Sequence, residues 1–196
     1  MKKADDIKEK IINVTTGLIM ESKGNAENIT TRAIAEKANI GVGLVNYHFQ
    51  TKENLVEICI QRIIKNVISS FKRDRAANEQ QHGMTQLKNT AMSVADFLIE
   101  NPEVSRISIL GDNKNPKIDD NTMNTVKGFS HSSGGSGAPE GRELIALFAL
   151  TSTMQSMFLR KDICSEIFGF DMDDKCKRDI FISELIHILF GGVDNE

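Results

Sequence analysis

Between Thr30 and Lys52 the chain gathers side chains that hydrogen-bond readily to nucleic acid: Thr30, Thr31 and Arg32 together, then Asn46, Tyr47 and His48 in a row, then Lys52. Lys, Tyr and Thr groups commonly fix a protein on phosphates, whereas Asn and Arg can pair with base edges. The expected assignment therefore puts Thr30, Tyr47, His48 and Lys52 on phosphates, and Arg32, Val42, Gly43 and Asn46 at or near base edges, with Thr31 and Gly41 beside them. His48 has a second reading, as a hydrogen-bonded histidine packed beside Phe49. No comparable constellation points to an enzyme. Ser132 and Ser133 lack a positioned His, the Gly-rich run lacks a following Lys-Ser or Lys-Thr, and Asp119-Asp120 adjoins no other ligand cluster. Asp171-Met172-Asp173-Asp174 lacks the Gly and Glu spacing of a calcium loop and suits a helix cap instead. No catalytic residue, cofactor or metal is expected. Cys59, Cys164 and Cys176 are scattered without a C-x-x-C spacing, which suits reduced thiols in a cytosol, and His48, His82, His131 and His187 lie far from one another.

The elements that must position these groups are two short helices and a tight turn. Thr30 can cap the first helix through its hydroxyl, with Ile29 and Ile34 placed as a hydrophobic staple. Ile34, Ala35 and Ala38 then share one face, and the small alanines let a second helix cross closely. Asn39 tolerates a left-handed turn and Ile40 can plug the corner. Gly41-Val42-Gly43 opens the second helix, whose Leu44, Val45 and Phe49 are expected to face inward while Asn46, Tyr47 and His48 face out. Thr51 caps a further helix, with Glu53 in its first turn and Lys52 at its mouth.

The run ANIGVGLVNYHFQTKENL, with its T-T-R helix start, I-A-x-x-A core, Y-H-F ending and T-K-E-N-L cap, is similar to the signature of the tetracycline-repressor (TetR) family of bacterial transcription regulators. Gly41-Val42 stands where the family often has Ser-Lys, and Val45-Asn46 where it often has Leu-Tyr, so base preference does not carry over. The resemblance implies an all-α fold of about nine helices: a three-helix DNA-binding domain over residues 1–52, then a helical ligand-binding and dimerisation domain over 53–196. It also implies a homodimer on double-stranded, inverted-repeat DNA, a repressor released from its operator by a small-molecule effector, and a cytoplasmic location. A reading from another class stands beside it: a helical ligand-binding or scaffold protein that does not bind DNA, since Gly41 and Val42 remove two polar side chains from the reading surface.

The rest of the chain fits a helical body. The net charge is −3, but residues 1–75 hold 13 Lys and Arg against 9 Asp and Glu, a surplus of +4, which leaves 11 against 18, or −7, for the remainder. Such an asymmetry fits a nucleic-acid-facing end and an acidic body, or simply an uneven solvated surface. A first helix is predicted over Asp5 to Lys23, through Ile7, Ile11, Val14 and Leu18, with Gly24 as its left-handed stop. A rod from Thr51 to about Arg75 leads out of the DNA-binding part. Helices are predicted from Met84 to before Asn101, over Glu103 to Leu110 with a stop at Gly111, and over Asn121 to Phe129. Residues 130–138, including HSSGGSG, read as a flexible linker. Neither a signal peptide nor a membrane span is expected.

Helices over Pro139 to Arg160 and Asp174 to Phe190 close the chain, apolar around much of their circumference. Either a partner subunit covers the surplus, with Phe148, Met154, Leu185 and Leu189 near the interface, or the two are central helices of one core. Met92, Phe97, Met123, Met154 and Phe158 are candidates to line an effector pocket, since Met and Phe make adaptable apolar walls; the competing reading is ordinary core.

Overall fold

The computed structural model describes residues 2–76, 83–133 and 141–191, with side chains from residue 5 and excluding 67–76. Among the described residues there are ten α-helices and no strand: α1 Lys2–Glu21, α2 Thr31–Lys37, α3 Val42–Phe49, α4 Lys52–Ala76, α5 Met84–Glu100, α6 Pro102–Lys114, α7 Asn121–Ser132, α8 Gly141–Leu159, α9 Lys161–Phe168 and α10 Lys175–Phe190. No described helix is long and apolar enough to cross a membrane. The chain divides into two units, Met1–Asp74 with Pro102–Leu110, and Arg75–Asn101 with Gly111–Glu196.

In the first unit α1 buries Ile11, Ile12, Thr15 and Ile19. The deep face is thus centred slightly away from the predicted stripe, since Ile7, Val14 and Leu18 are only half-buried. Thr15 is tolerated there because its hydroxyl donates to the Ile11 carbonyl at 2.8 Å. The helix ends where Lys23 and Gly24 turn left-handed, with φ of 54° and 73°. Gly24 is required twice over: its φ is one that side chains resist, and a Cβ there would lie 2.7 Å from Cδ of Arg106 on α6. Helix α4 enters the same core through Leu55, Val56, Cys59 and Ile60. This is why the first unit extends past residue 52. Burial pushes the Cys59 thiol up to about 11, so it stays protonated near neutral pH, with its sulfur 3.6 Å from the Ile12 carbonyl.

In the second unit α5, α7, α8 and α10 enclose one core, with Leu87, Ala91 and Ala95 meeting Val126, Phe129, Leu147, Leu150, Met154, Ile182 and Ile186. Three boundaries differ from the sequence reading. Helix α6 runs through Gly111 to Lys114 instead of stopping at the glycine, because Gly lowers helix stability by only about 1 kcal/mol and α6 continues into well-ordered contacts such as buried Asp112. Helix α7 continues to Ser132, which is buried and donates to the Gly128 carbonyl, so residues 130–132 are helix and not linker. Residues 134–138 of that expected linker lie outside the described residues. Helix α9, which makes the count ten and not about nine, follows α8 after the single non-helical Arg160 and ends on left-handed Gly169. Asp174 caps α10 by accepting from the amides of Cys176 and Lys177, as its place before the apolar run suggests.

One ionic cluster ties α5 to α10. Arg178 is 4% exposed and donates through Nη2 to Oδ1 of Asp96 at 2.5 Å and through Nη1 to the Met172 carbonyl at 2.6 Å, while Lys175 donates to Oδ2 of Asp96 at 2.7 Å. Burial pushes the Asp96 carboxyl up, but the hydrogen bonds and charges of Lys175 and Arg178 outweigh it and hold it below the ordinary carboxylate range. A group with a lowered folded pKa stabilises the fold above its unfolded value of about 3.9, and that contribution is lost as pH falls through the folded value. Asp96→Ala strands a buried guanidinium and should cost about 3 kcal/mol in urea unfolding at pH 7, and much less at acid pH. Asp96→Asn, which keeps an acceptor, should cost less than Asp96→Ala. A loss below about 1 kcal/mol for the alanine would show that the cluster is not needed.

Candidate nucleic-acid interface

The local chemistry of residues 25–54 leaves little freedom in how α3 is held. Asn25 caps a short turn over Ala26–Asn28, and Thr30 caps α2 by accepting from the Ala33 amide at 3.1 Å. Ile29, Ile34, Ala35 and Ala38 are all buried. Asn39 then takes a φ of 52°, and the Ile40 amide donates back to the Ala35 carbonyl at 3.0 Å, which reverses the chain within two residues. Gly41 stands at the N-cap of α3 with no side-chain bond.

Val45 and Phe49 fix α3 on the core. Lys8 reaches over the Phe49 ring, its ammonium 5.9 Å from the centroid. After Phe49 the backbone makes a turn that the sequence did not announce. Gln50 has φ 65° and ψ −59°, and the Thr51 amide donates to the Phe49 carbonyl at 2.7 Å, which is the geometry of a γ-turn with a positive central φ. Asn54 donates its side-chain amide to the same carbonyl at 3.0 Å, and its backbone N–H to the Thr51 hydroxyl at 3.1 Å. Phe49 thus locks α3 sideways through its ring and endways through its carbonyl.

Of the residues expected at the interface, Thr30, Arg32, Gly41, Val42, Gly43, Asn46 and Tyr47 are exposed, and Thr31 is half-buried. Tyr47 is the most prominent, at 80%. His48 is half-buried, with its ring centroid 5.2 Å from Tyr47 and 6.2 Å from Phe49. Lys52 is half-buried too: its ammonium donates to the Ala26 carbonyl at 3.2 Å and lies 3.7 Å from Glu53, so it already braces the turn before α2. The expectation that Leu44 faces inward is corrected, for it is 39% exposed. A helix turns by about 100° per residue, so Leu44 lies on the opposite side of Val45 from Phe49 and cannot share their buried face. That spacing was available in the sequence and is the signal that finds it.

The residues nominated elsewhere fall in two groups. Met154 is in the core of the second unit and Met92 packs against the same core. Phe158 is buried, and Phe97 and Met123 are half-buried. On the interface side Phe148 is exposed and Leu189 half-buried, but Met154 and Leu185 lie inside the protomer. The exposed apolar side chains of α8 and α10 are instead Leu144, Ile145, Phe148, Ile180 and Ile188, none of which except Phe148 was singled out for that role.

Residues 20–59 match the model of the family described as bacterial regulatory proteins, tetR family. No curated protein matches the chain. A solved structure, that of a TetR transcriptional regulator from Rhodococcus sp. RHA1, is similar with a TM-score of 0.61 at 12% sequence identity, covering 99% of this chain and 100% of that one. At that identity the likeness shows the fold, while the matched segment contains α2, the turn and α3 in full. The helix-turn-helix of α2 and α3 agrees with the match to the tetR family of bacterial regulatory proteins over residues 20–59, and the all-helical fold agrees with that solved structure.

Proposed function

We propose that this transcriptional regulator is a repressor that binds an inverted-repeat operator as a homodimer and leaves it when a small, largely apolar molecule enters the second unit. The observation that carries the DNA half of this reading is the free outer face of α3, with Val42, Gly43, Asn46 and Tyr47 exposed while Val45 and Phe49 anchor the helix from behind. In such motifs the second helix lies in the major groove with its first residues against base edges. Thr30 and Thr31 stand at the start of α2, where helix amides and hydroxyls suit phosphate oxygens, and exposed Arg32 beside them suits a base edge. Lys52 keeps two ammonium hydrogens beyond the one given to Ala26, and Tyr47 carries an exposed hydroxyl; both suit the flanking backbone. Gel shifts on the DNA upstream of the chain's own coding region, across a salt series, separate this reading from a DNA-free scaffold, since phosphate contacts make affinity fall steeply with salt. Lys52→Ala should weaken every sequence about equally and reduce the salt slope by about 1. An unchanged slope removes Lys52 from the contacts.

The dimer is supported by the apolar side chains left uncovered on α8 and α10, above all Ile145 at 72% and Ile188 at 74% exposure. An isologous pairing over such a face sets two reading helices about one helical turn of DNA apart, roughly 34 Å. Ile145→Glu changes a surface position and should leave the protomer folded, yet sediment as a monomer at micromolar concentration and lose the preference for two half-sites over one. A variant that stays dimeric with native affinity excludes this face.

For the effector, Met92 and Met154 offer adaptable apolar surface within one cluster, with Phe97, Met123 and Phe158 as further candidates. In a thermal-shift screen of metabolites and antimicrobials, a true effector at a hundred times its dissociation constant should stabilise the fold by about 2.7 kcal/mol. The same compound should weaken operator binding. Hits that stabilise without touching DNA affinity would show binding without coupling, and the induction step would then be wrong for them.

A further inference from the structure

The outer face of α3 is defined by what it lacks. From Val42 to Phe49 there is no Arg, Lys, Asp or Glu, so the helix has none of the side chains that pair with guanine through two bonds or accept from the cytosine amino group. His48 is half-buried between the rings of Tyr47 and Phe49. With Val45 and Phe49 buried, a turn of about 100° per residue runs the outward meridian near Gly43 and Tyr47, with Leu44 about 60° to one side and Asn46 about 100° to the other. Val42 is 42% exposed at the start of the helix and Leu44 is 39% exposed. Around them the surface is bare, for a Cβ placed on Gly41 or Gly43 would meet nothing within 4 Å.

A single exposed leucine needs no explanation. Two exposed branched aliphatics on the first turn of the helix that enters the major groove, Leu44 near the outward meridian and Val42 at the open N-terminal end on another side, are a different matter. That turn is the part of the helix closest to base edges, and the chemistry it presents is apolar contact. The apolar group that base pairs display in the major groove is the C5-methyl of thymine. Asn46 adds the one side chain of α3 suited to two bonds with adenine N6 and N7.

We infer that α3 reads A·T pairs: Leu44 packs against a thymine methyl group, Val42 at the open first turn packs against another, and Asn46 takes an adenine in the same half-site. This deepens the DNA-binding reading above and rests on it. Leu44 is then a specificity-determining residue, and affinity for phosphates comes from Tyr47 and from elements outside α3.

The test uses the full chain and a pool of random-sequence duplexes. After several rounds of selection, the enriched duplexes are copied with deoxyuridine in place of thymidine, which removes the methyl groups and keeps every hydrogen-bonding group. Affinity should fall about fourfold for each methyl contacted, the effect of withdrawing a methyl-sized apolar contact. Leu44→Ala should shrink the thymine-over-uracil preference by about that factor, Leu44→Met should keep it, and Val42→Ala with Leu44→Ala should abolish it. All of these positions are at the surface, so circular dichroism melting should be unchanged. Equal binding of thymine and uracil duplexes by the native chain, or an enriched half-site with G·C pairs at its most constrained positions, would overturn the inference while leaving DNA binding intact. If no sequence is enriched over the starting pool, sequence reading itself fails, and this inference with it.

Discussion

The way the first unit presents α3 depends on how Phe49 is held. Its ring is buried with Val45, and its carbonyl accepts from both the Thr51 amide and the Asn54 side chain, so α3 can neither roll on the core nor swing at its C-terminal end. A left-handed, non-glycine turn at Gln50 has a steric cost on the order of 1–3 kcal/mol and persists only when its surroundings over-determine it. Here the surroundings are named: the Thr51 hydroxyl opens α4 by accepting from Asn54, and Asn54 reaches back to Phe49. The same few atoms therefore end one helix, start the next and aim the outer face of the first. A base-reading surface tolerates little angular slack, since a displacement of about 1 Å moves a side chain out of hydrogen-bond range. Rigidity behind α3 allows its front to be small and uncharged.

Where local chemistry decided the structure, the sequence could be read closely. The Thr30 cap, the buried Ile29, Ile34, Ala35 and Ala38, the left-handed Asn39 and the cap at Thr51 each follow from a residue type within four positions of the group it serves. The misreadings have physical causes as well. Leu44 reads like Val45 because both are apolar, although neighbours on a helix point about 100° apart. Gly111 reads as a stop in the sequence, but a glycine favours a helix end chiefly where the backbone turns left-handed, and this one does not. Helix α9 was hidden by its closeness to α8, one residue away, so that no loop composition marked the break. Arg178 was unreadable, because a charged residue near the start of a helix looks solvent-facing until Asp96, 82 positions earlier, is brought to it. Contacts of that kind depend on the packing of distant helices.

The structure gives the exposure of the candidate interface residues, which residue type alone does not. Exposure separates Asn46 and Tyr47, which are free on the outer face, from Lys52, whose ammonium is already bonded to Ala26. Lys37, also on this side of the sequence, is paired with Glu21 at 2.7 Å. A surface pair of that kind is worth about 0.2–1 kcal/mol and gives way readily to a phosphate, whereas a half-buried lysine bracing a turn has more to lose by moving. Cations near α3 thus differ in how available they are, and net charge over the first 75 residues, +4, does not distinguish them.

Two helices span the division between the units. Both α4 and α6 run without a break from the first unit into the second, crossing between Asp74 and Arg75 and between Leu110 and Gly111. In the sequence only α4 looked like such a rod, because Gly111 seemed to end α6. An effector can shift DNA affinity only through different affinities for two arrangements of the chain, and those arrangements must differ in something both units feel. A continuous helix transmits displacement along its axis as long as it stays helical, and its weakest position is a glycine, which in a helix interior is about 1 kcal/mol less stable than alanine. Gly111 occupies that position at the crossing itself, exposed and with no neighbour within 4 Å of where a Cβ would stand. Packing does not require the glycine there, so its effect lies in the backbone, where it leaves α6 about 1 kcal/mol less stable than an alanine would.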